Sequence, residues 1–148
     1  DNLFEIGLDQ SITNLVNSIA DSGRYTIQLQ LIGMDQPLHS SIELLIFRTI
    51  QELLTNVIKH ANADEIKLRI LMSEDKVKLN LSDNGKGFEY TPGQSSDGFG
   101  LKNINDRIEK LRGEIRIESF FNQGTTIDIS IPILQKTEEN ATIQNHSS

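Results

Sequence analysis

The chain has 148 residues, 36% hydrophobic and 24% charged, with a formal net charge of −7 and no cysteine. That length suits one soluble domain burying roughly 70% of its unfolded surface; no run approaches the roughly 20 apolar residues of a bilayer crossing, and no secretion-signal pattern opens the chain. The negative charge, with no lysine or arginine run, excludes non-specific attraction to nucleic acid or anionic membrane, and the lack of cysteine excludes disulfides and thiolate metal sites, which suits a reducing compartment.

In chain order, Ile12, Leu15, Val16 and Ile19 have helical spacing after Asp9, which reads as an N-cap, with Gly23 as the stop signal. Tyr25, Ile27, Leu29 and Leu31 then alternate with polar residues, the period of a half-buried strand. Residues 40–61 read as the longest helix. Two further alternating runs follow: Ile66, Leu68, Ile70 and Met72, then Val77, Leu79 and Leu81, with a short turn at residues 73–75. After a loop rich in glycine, serine and proline, Leu101, Ile104, Ile108 and Leu111 mark a third helix closed by Gly113. Ile115 and Ile117, then Ile127, Ile129 and Ile131, mark two last strands. Residues 135–148 read as a polar, disordered tail, which leaves residues 1–134 as the domain.

Clean alternation predicts sheet with one buried face, hence mostly antiparallel pairing with helices on one side. The expected fold is an α/β two-layer sandwich: a mixed, mostly antiparallel five-stranded sheet with three helices on one face.

Parity then singles out two polar side chains. Asp83 continues the inward face of Val77, Leu79 and Leu81, and Thr125 precedes Ile127, Ile129 and Ile131 in phase. A buried carboxylate costs several kcal/mol unless something donates to it, and a ligand amino group is one such donor. The alternative is that Asp83 caps a turn through its own backbone while Thr125 bonds a carbonyl.

On the long helix, Arg48, Glu52, Asn56 and Lys59 fall within about 40° of their mean direction, opposite the apolar residues. Glu52 and Asn56 have the spacing to share a hard cation such as magnesium, with nucleotide phosphates and water completing its shell, and Lys59 would then meet phosphate. The bland reading is a solvated helix face. His39, His60 and His146 need no role. Gly85 and Gly87 permit close backbone approach, and Gly98 and Gly100 do so just before the third helix, where N–H groups attract phosphate. The loop over residues 88–99 reads as a lid. Familiar phosphate and calcium motifs fail on spacing: GFGLKN has Asn103 at the third glycine position, no GxxxxGK[ST] occurs, and a calcium loop set on DNGKG lacks its glutamate.

The ordered stretches QELLTNVIKHA, LSDNGKGF, DGFGLKNINDRI and QGTTIDISIPI resemble the N box, the two glycine boxes and the closing strand of the ATP-binding catalytic domain of sensor histidine kinases. That family lies in the superfamily that includes gyrase and MutL ATPases; NxxKHA with GLxN is similar to its nitrate-sensor and lipid-sensor subfamily. The match covers most of residues 10–134. The resemblance implies that Asn56 is a magnesium ligand and that Glu52 polarises the attacking group or orders the site. It implies phosphate contacts for Lys59 and His60, adenine recognition by Asp83 with support from Thr125, and base and lid contacts for Gly85, Gly87, Gly98, Gly100 and Leu101. It also implies ATP and magnesium, a cytoplasmic setting, a histidine on a dimerising helical hairpin as acceptor and a response regulator downstream. Nothing before residue 10 is long enough for that hairpin, and the chain opens at Asp1 rather than methionine, so the acceptor is expected elsewhere. Rival readings within the superfamily are a serine kinase that sequesters a transcription factor and an ATP-driven clamp.

Overall fold

A computed structural model describes residues 3–87 and 101–133. The elements are α1 (Leu3–Ile6), α2 (Leu8–Ala20), β1 (Thr26–Ile32), α3 (Ser40–Asn56), a π-helical turn (Val57–Ala61), β2 (Glu65–Met72), β3 (Lys76–Asp83), α4 (Leu101–Lys110), β4 (Glu114–Phe120) and β5 (Gly124–Pro132). The strands form one sheet in the order β1-β2-β3-β5-β4. β1 and β2 pair in parallel, which the crossover through α3 makes possible, and every other pairing is antiparallel.

Strand parity works as the alternation implies. Ile66, Leu68, Ile70 and Met72 of β2, Val77, Leu79 and Leu81 of β3, and Ile127, Ile129 and Ile131 of β5 are buried on one face. Lys67, Arg69, Lys78, Arg116 and Asp128 are exposed between them. Onto the apolar face pack Ile12 and Val16 from α2, Ile46, Ile50, Leu53 and Leu54 from α3, and Ile104 and Ile108 from α4. The mixed five-stranded sheet and the layer of three long helices are those expected.

Three local expectations need correction. Asp9 is not the cap of α2: the cap is Gly7 at φ 87°, two residues earlier, and the Asp9 carboxylate accepts from its neighbour's amide, Gln10 N–H, at 2.9 Å. The long helix does not stay α-helical to residue 61. Its last turn widens to a π turn that ends on left-handed Asn62, and the freed Ala61 carbonyl accepts from Lys86 N–H at 2.7 Å. Third, the left-handed residue that closes α4 is Arg112 at φ 59°, not Gly113: Arg112 N–H bonds the Glu109 carbonyl and Gly113 N–H the Ile108 carbonyl. The tail at residues 135–148 and the loop at residues 88–99 lie outside the described residues.

Candidate functional site

The end of α3 and its π turn stand against the ends of β3 and β5, and a cleft lies between them. Its walls are Leu53, Asn56, Val57 and Ala61 from the helical side, Asp83 and Gly87 from the end of β3 and its turn, Leu101 from α4, and Thr125 and Ile127 from β5. The space enclosed is about 20 Å³, room for one water molecule.

Asp83 is the polar centre. Its backbone partners across the sheet are Ile66 on β2 and Thr125 on β5, so the two inward polar residues found by parity face each other directly. Gly85 N–H donates to Asp83 Oδ1 at 2.8 Å, which closes a tight turn. Burial pushes the Asp83 carboxyl above the usual aspartate value, and backbone hydrogen bonds from Gly85 and Thr125 pull it partly back. The carboxylate thus caps its own turn through one oxygen, as one reading expects, and it also lines the cleft.

Among the described residues, the Thr125 hydroxyl does not bond a carbonyl. It lies 2.7 Å from the hydroxyl of buried Ser119 on β4, a pairing set by the register that puts residues 119 and 125 opposite each other. The two glycines after Asp83 have different tasks. A side chain at Gly85 would overlap the Ala61 carbonyl, so Gly85 allows the strand end to reach the π turn and is not part of the cleft wall. Gly87 has φ 62° and does line the cleft, with its backbone against the Phe120 carbonyl. Just before both glycines, Asn84 holds the turn to the start of β2: its side-chain oxygen accepts from Asp64 and Glu65 N–H at 3.0 Å each.

The structure thus brings Asn56, Asp83, Gly87, Leu101 and Thr125 to one cleft. Glu52, Lys59 and His60 are not in its wall. Lys59 is exposed and His60 half-buried in the π turn. Glu52, one turn before Asn56, receives a hydrogen bond and ion pair from Arg107 at 2.7 Å. Gly98 and Gly100 lie outside the described residues. Arg107, Ser119 and Asn84 are contributors that sequence reasoning missed; Arg107 carried a usable signal, a positive charge between two core positions of α4.

Among the described residues no group of three or more histidine, cysteine or acidic side chains converges on one point. The donor set nonetheless fits magnesium, which takes one or two protein oxygens and fills its shell with phosphate and water. Asn56 offers an amide oxygen at the cleft, and Glu52 a carboxylate one turn away.

Comparison with known proteins agrees with this architecture. The sequence model of the family described as histidine kinase-, DNA gyrase B-, and HSP90-like ATPase matches residues 41–135. The chain is 34% identical over 137 residues to the signal transduction histidine-protein kinase/phosphatase DegS of Brevibacillus brevis, covering 93% of this chain and 35% of DegS. It is 27% identical over 131 residues to the oxygen sensor histidine kinase NreB of Staphylococcus carnosus, covering 88% of this chain and 38% of NreB. The chain thus spans little more than a third of the length of these relatives. Among solved structures, a blue-light activated histidine kinase of Erythrobacter litoralis superposes with a TM-score of 0.67 at 23% identity, covering 86% of this chain and 41% of that one. The histidine kinase AdeS of Acinetobacter baumannii gives 0.66 at 18% identity, covering 85% and 63%. Likeness at such low identity speaks for the fold.

Proposed function

This chain belongs to the histidine kinase-, DNA gyrase B- and HSP90-like ATPase family, and from that premise we propose that it binds ATP with magnesium and transfers the γ-phosphoryl group to a histidine. The acceptor lies on a dimerising helical hairpin of the same parent protein or of another chain, on the cytoplasmic side, and a response regulator takes the phosphoryl group onward.

The observation that carries this reading is the inward carboxylate of Asp83, facing Thr125 and sharing a cleft with Asn56. A half-buried acid whose charged form is disfavoured by desolvation gains from a ligand donor. The exocyclic amine of adenine is such a donor. Guanine would present a carbonyl there and set two acceptors against each other, so the same residue accounts for base choice. Leu101 and Ile127 offer apolar surface to the ring.

Asn56, with Glu52 one turn before it, would hold the metal, and Lys59 and His60, three and four residues after Asn56, would contact phosphate. Magnesium, when bound, neutralises charge on the phosphates. Glu52 polarises the attacking imidazole: a phosphorus–nitrogen bond forms as the bond to the β-phosphate oxygen breaks, and the imidazole proton is released. Such transfer needs positioning and charge neutralisation more than covalent help from the protein.

The test is incubation with γ-labelled ATP and the helical hairpin of the parent protein, followed by acid. Label lost in acid is phosphohistidine and supports the reading. Acid-stable label is phosphoserine and assigns the serine-kinase branch of the superfamily, whereas ATP turnover without transfer to any acceptor assigns a clamp.

A further inference from the structure

Arg107 is delivered to α3 by the core of α4. Ile104 and Ile108, three residues before it and one after, are fully buried, which leaves the guanidinium against the polar stripe of the longer helix. There it reaches two acceptors one turn apart: Nη2 donates to Glu52 Oε1 at 2.7 Å, and Nη1 donates to Thr49 Oγ1 at 3.1 Å. Thr49 is itself buried and donates its hydroxyl proton to the Leu45 carbonyl at 2.7 Å. A planar fork spans two such acceptors, which the point charge of a lysine does not. With Arg107 20% exposed and Glu52 39% exposed, this is not a loose surface pair, yet half-open ion pairs add little to stability.

What the contact joins is informative. Glu52 precedes Asn56 by one turn of α3, and α4 begins with Leu101, which lines the cleft. Arg107 therefore ties the helix bearing the oxygen donors to the helix that forms another wall.

We propose that Arg107 is a positioning residue for phosphoryl transfer, locking the Glu52 carboxylate in one rotamer beside Asn56 and fixing α4 against α3. This rests on reading the cleft as a site for ATP with magnesium. Glu52 acts on the ligand, and Arg107 acts through Glu52.

The test uses the whole chain with Arg107→Met, Arg107→Lys and Glu52→Gln. ATP affinity is measured by calorimetry with magnesium and with a chelator, and melting temperature without nucleotide. In Arg107→Met the gain in affinity due to magnesium is expected to fall about tenfold, with binding in chelator unchanged. Arg107→Lys keeps the wild-type melting temperature and still loses most of that gain. Arg107→Met combined with Glu52→Gln is no worse than Glu52→Gln alone, because residues that act as one unit are not additive. Equal losses with and without magnesium, full recovery in Arg107→Lys, or additive losses in the double variant overturn the proposal alone. Wild-type protein whose ATP binding ignores magnesium overturns the functional reading together with it.

Discussion

Replacing Asp83 by asparagine separates the fold from the ligand. In the wild type, Oδ1 already accepts from Gly85 N–H at 2.8 Å and the Thr125 amide also acts on the carboxylate, so an adenine amine takes a lone pair left on the second oxygen. Asparagine has one acceptor and one donor. Whichever way it turns, its NH₂ group meets another donor, either the Gly85 amide or the base. The loss is one hydrogen bond to a charged group, about 1.5–3 kcal/mol, or roughly tenfold to a hundredfold in ATP affinity. Stability goes the other way. The folded-state pKa of Asp83 lies above its ordinary value because of burial, so the folded protein binds this proton more tightly than the unfolded chain does. Wild-type stability therefore falls as pH rises from the ordinary aspartate value through the raised one, and the variant lacks that slope. At neutral pH Asp83→Asn is expected to melt no lower than wild type. Calorimetric titration with ATP and thermal melts by circular dichroism read the two effects. Leu79→Val, on the same face of β3, is the control that weakens packing and spares affinity. Affinity for ATP within threefold of wild type, or a melting point several degrees lower, would refute the reasoning.

Gly87→Ala carries two costs, a left-handed backbone at φ 62° and overlap with the Phe120 carbonyl, about 2–5 kcal/mol together. Gly23→Ala, at φ 77° with nothing within 4 Å, carries only the first, about 1–2 kcal/mol; urea melts that give equal losses would contradict this ranking. Asn56→Ala is expected to abolish the magnesium-dependent part of nucleotide binding, and calorimetry that finds it intact removes Asn56 as the metal ligand. Asn84→Ala removes the acceptor shared by the Asp64 and Glu65 amides. Faster hydrogen exchange at those two amides, with a stability loss of about 1 kcal/mol, is the expected signature, and unchanged exchange would refute it.

Much of the architecture is written in short-range order. The alternation of isoleucine, leucine and valine with polar residues marks all five strands, and counting by twos along β3 and β5 puts Asp83 and Thr125 on the buried face before any pairing is known. The same local periodicity, taken at 3.6 residues per turn, aligns Glu52 with Asn56 on α3. Other features come only from the assembled fold. Arg107 finds Glu52 across 55 residues of sequence, Ser119 takes the Thr125 hydroxyl through strand register, and Gly85 and Gly87 part ways because only one of them abuts the π turn. The division has a physical cause. Which face a side chain occupies follows from backbone geometry within its own helix or strand, whereas its partner is decided by which distant element the packed core brings alongside, and no local pattern encodes that.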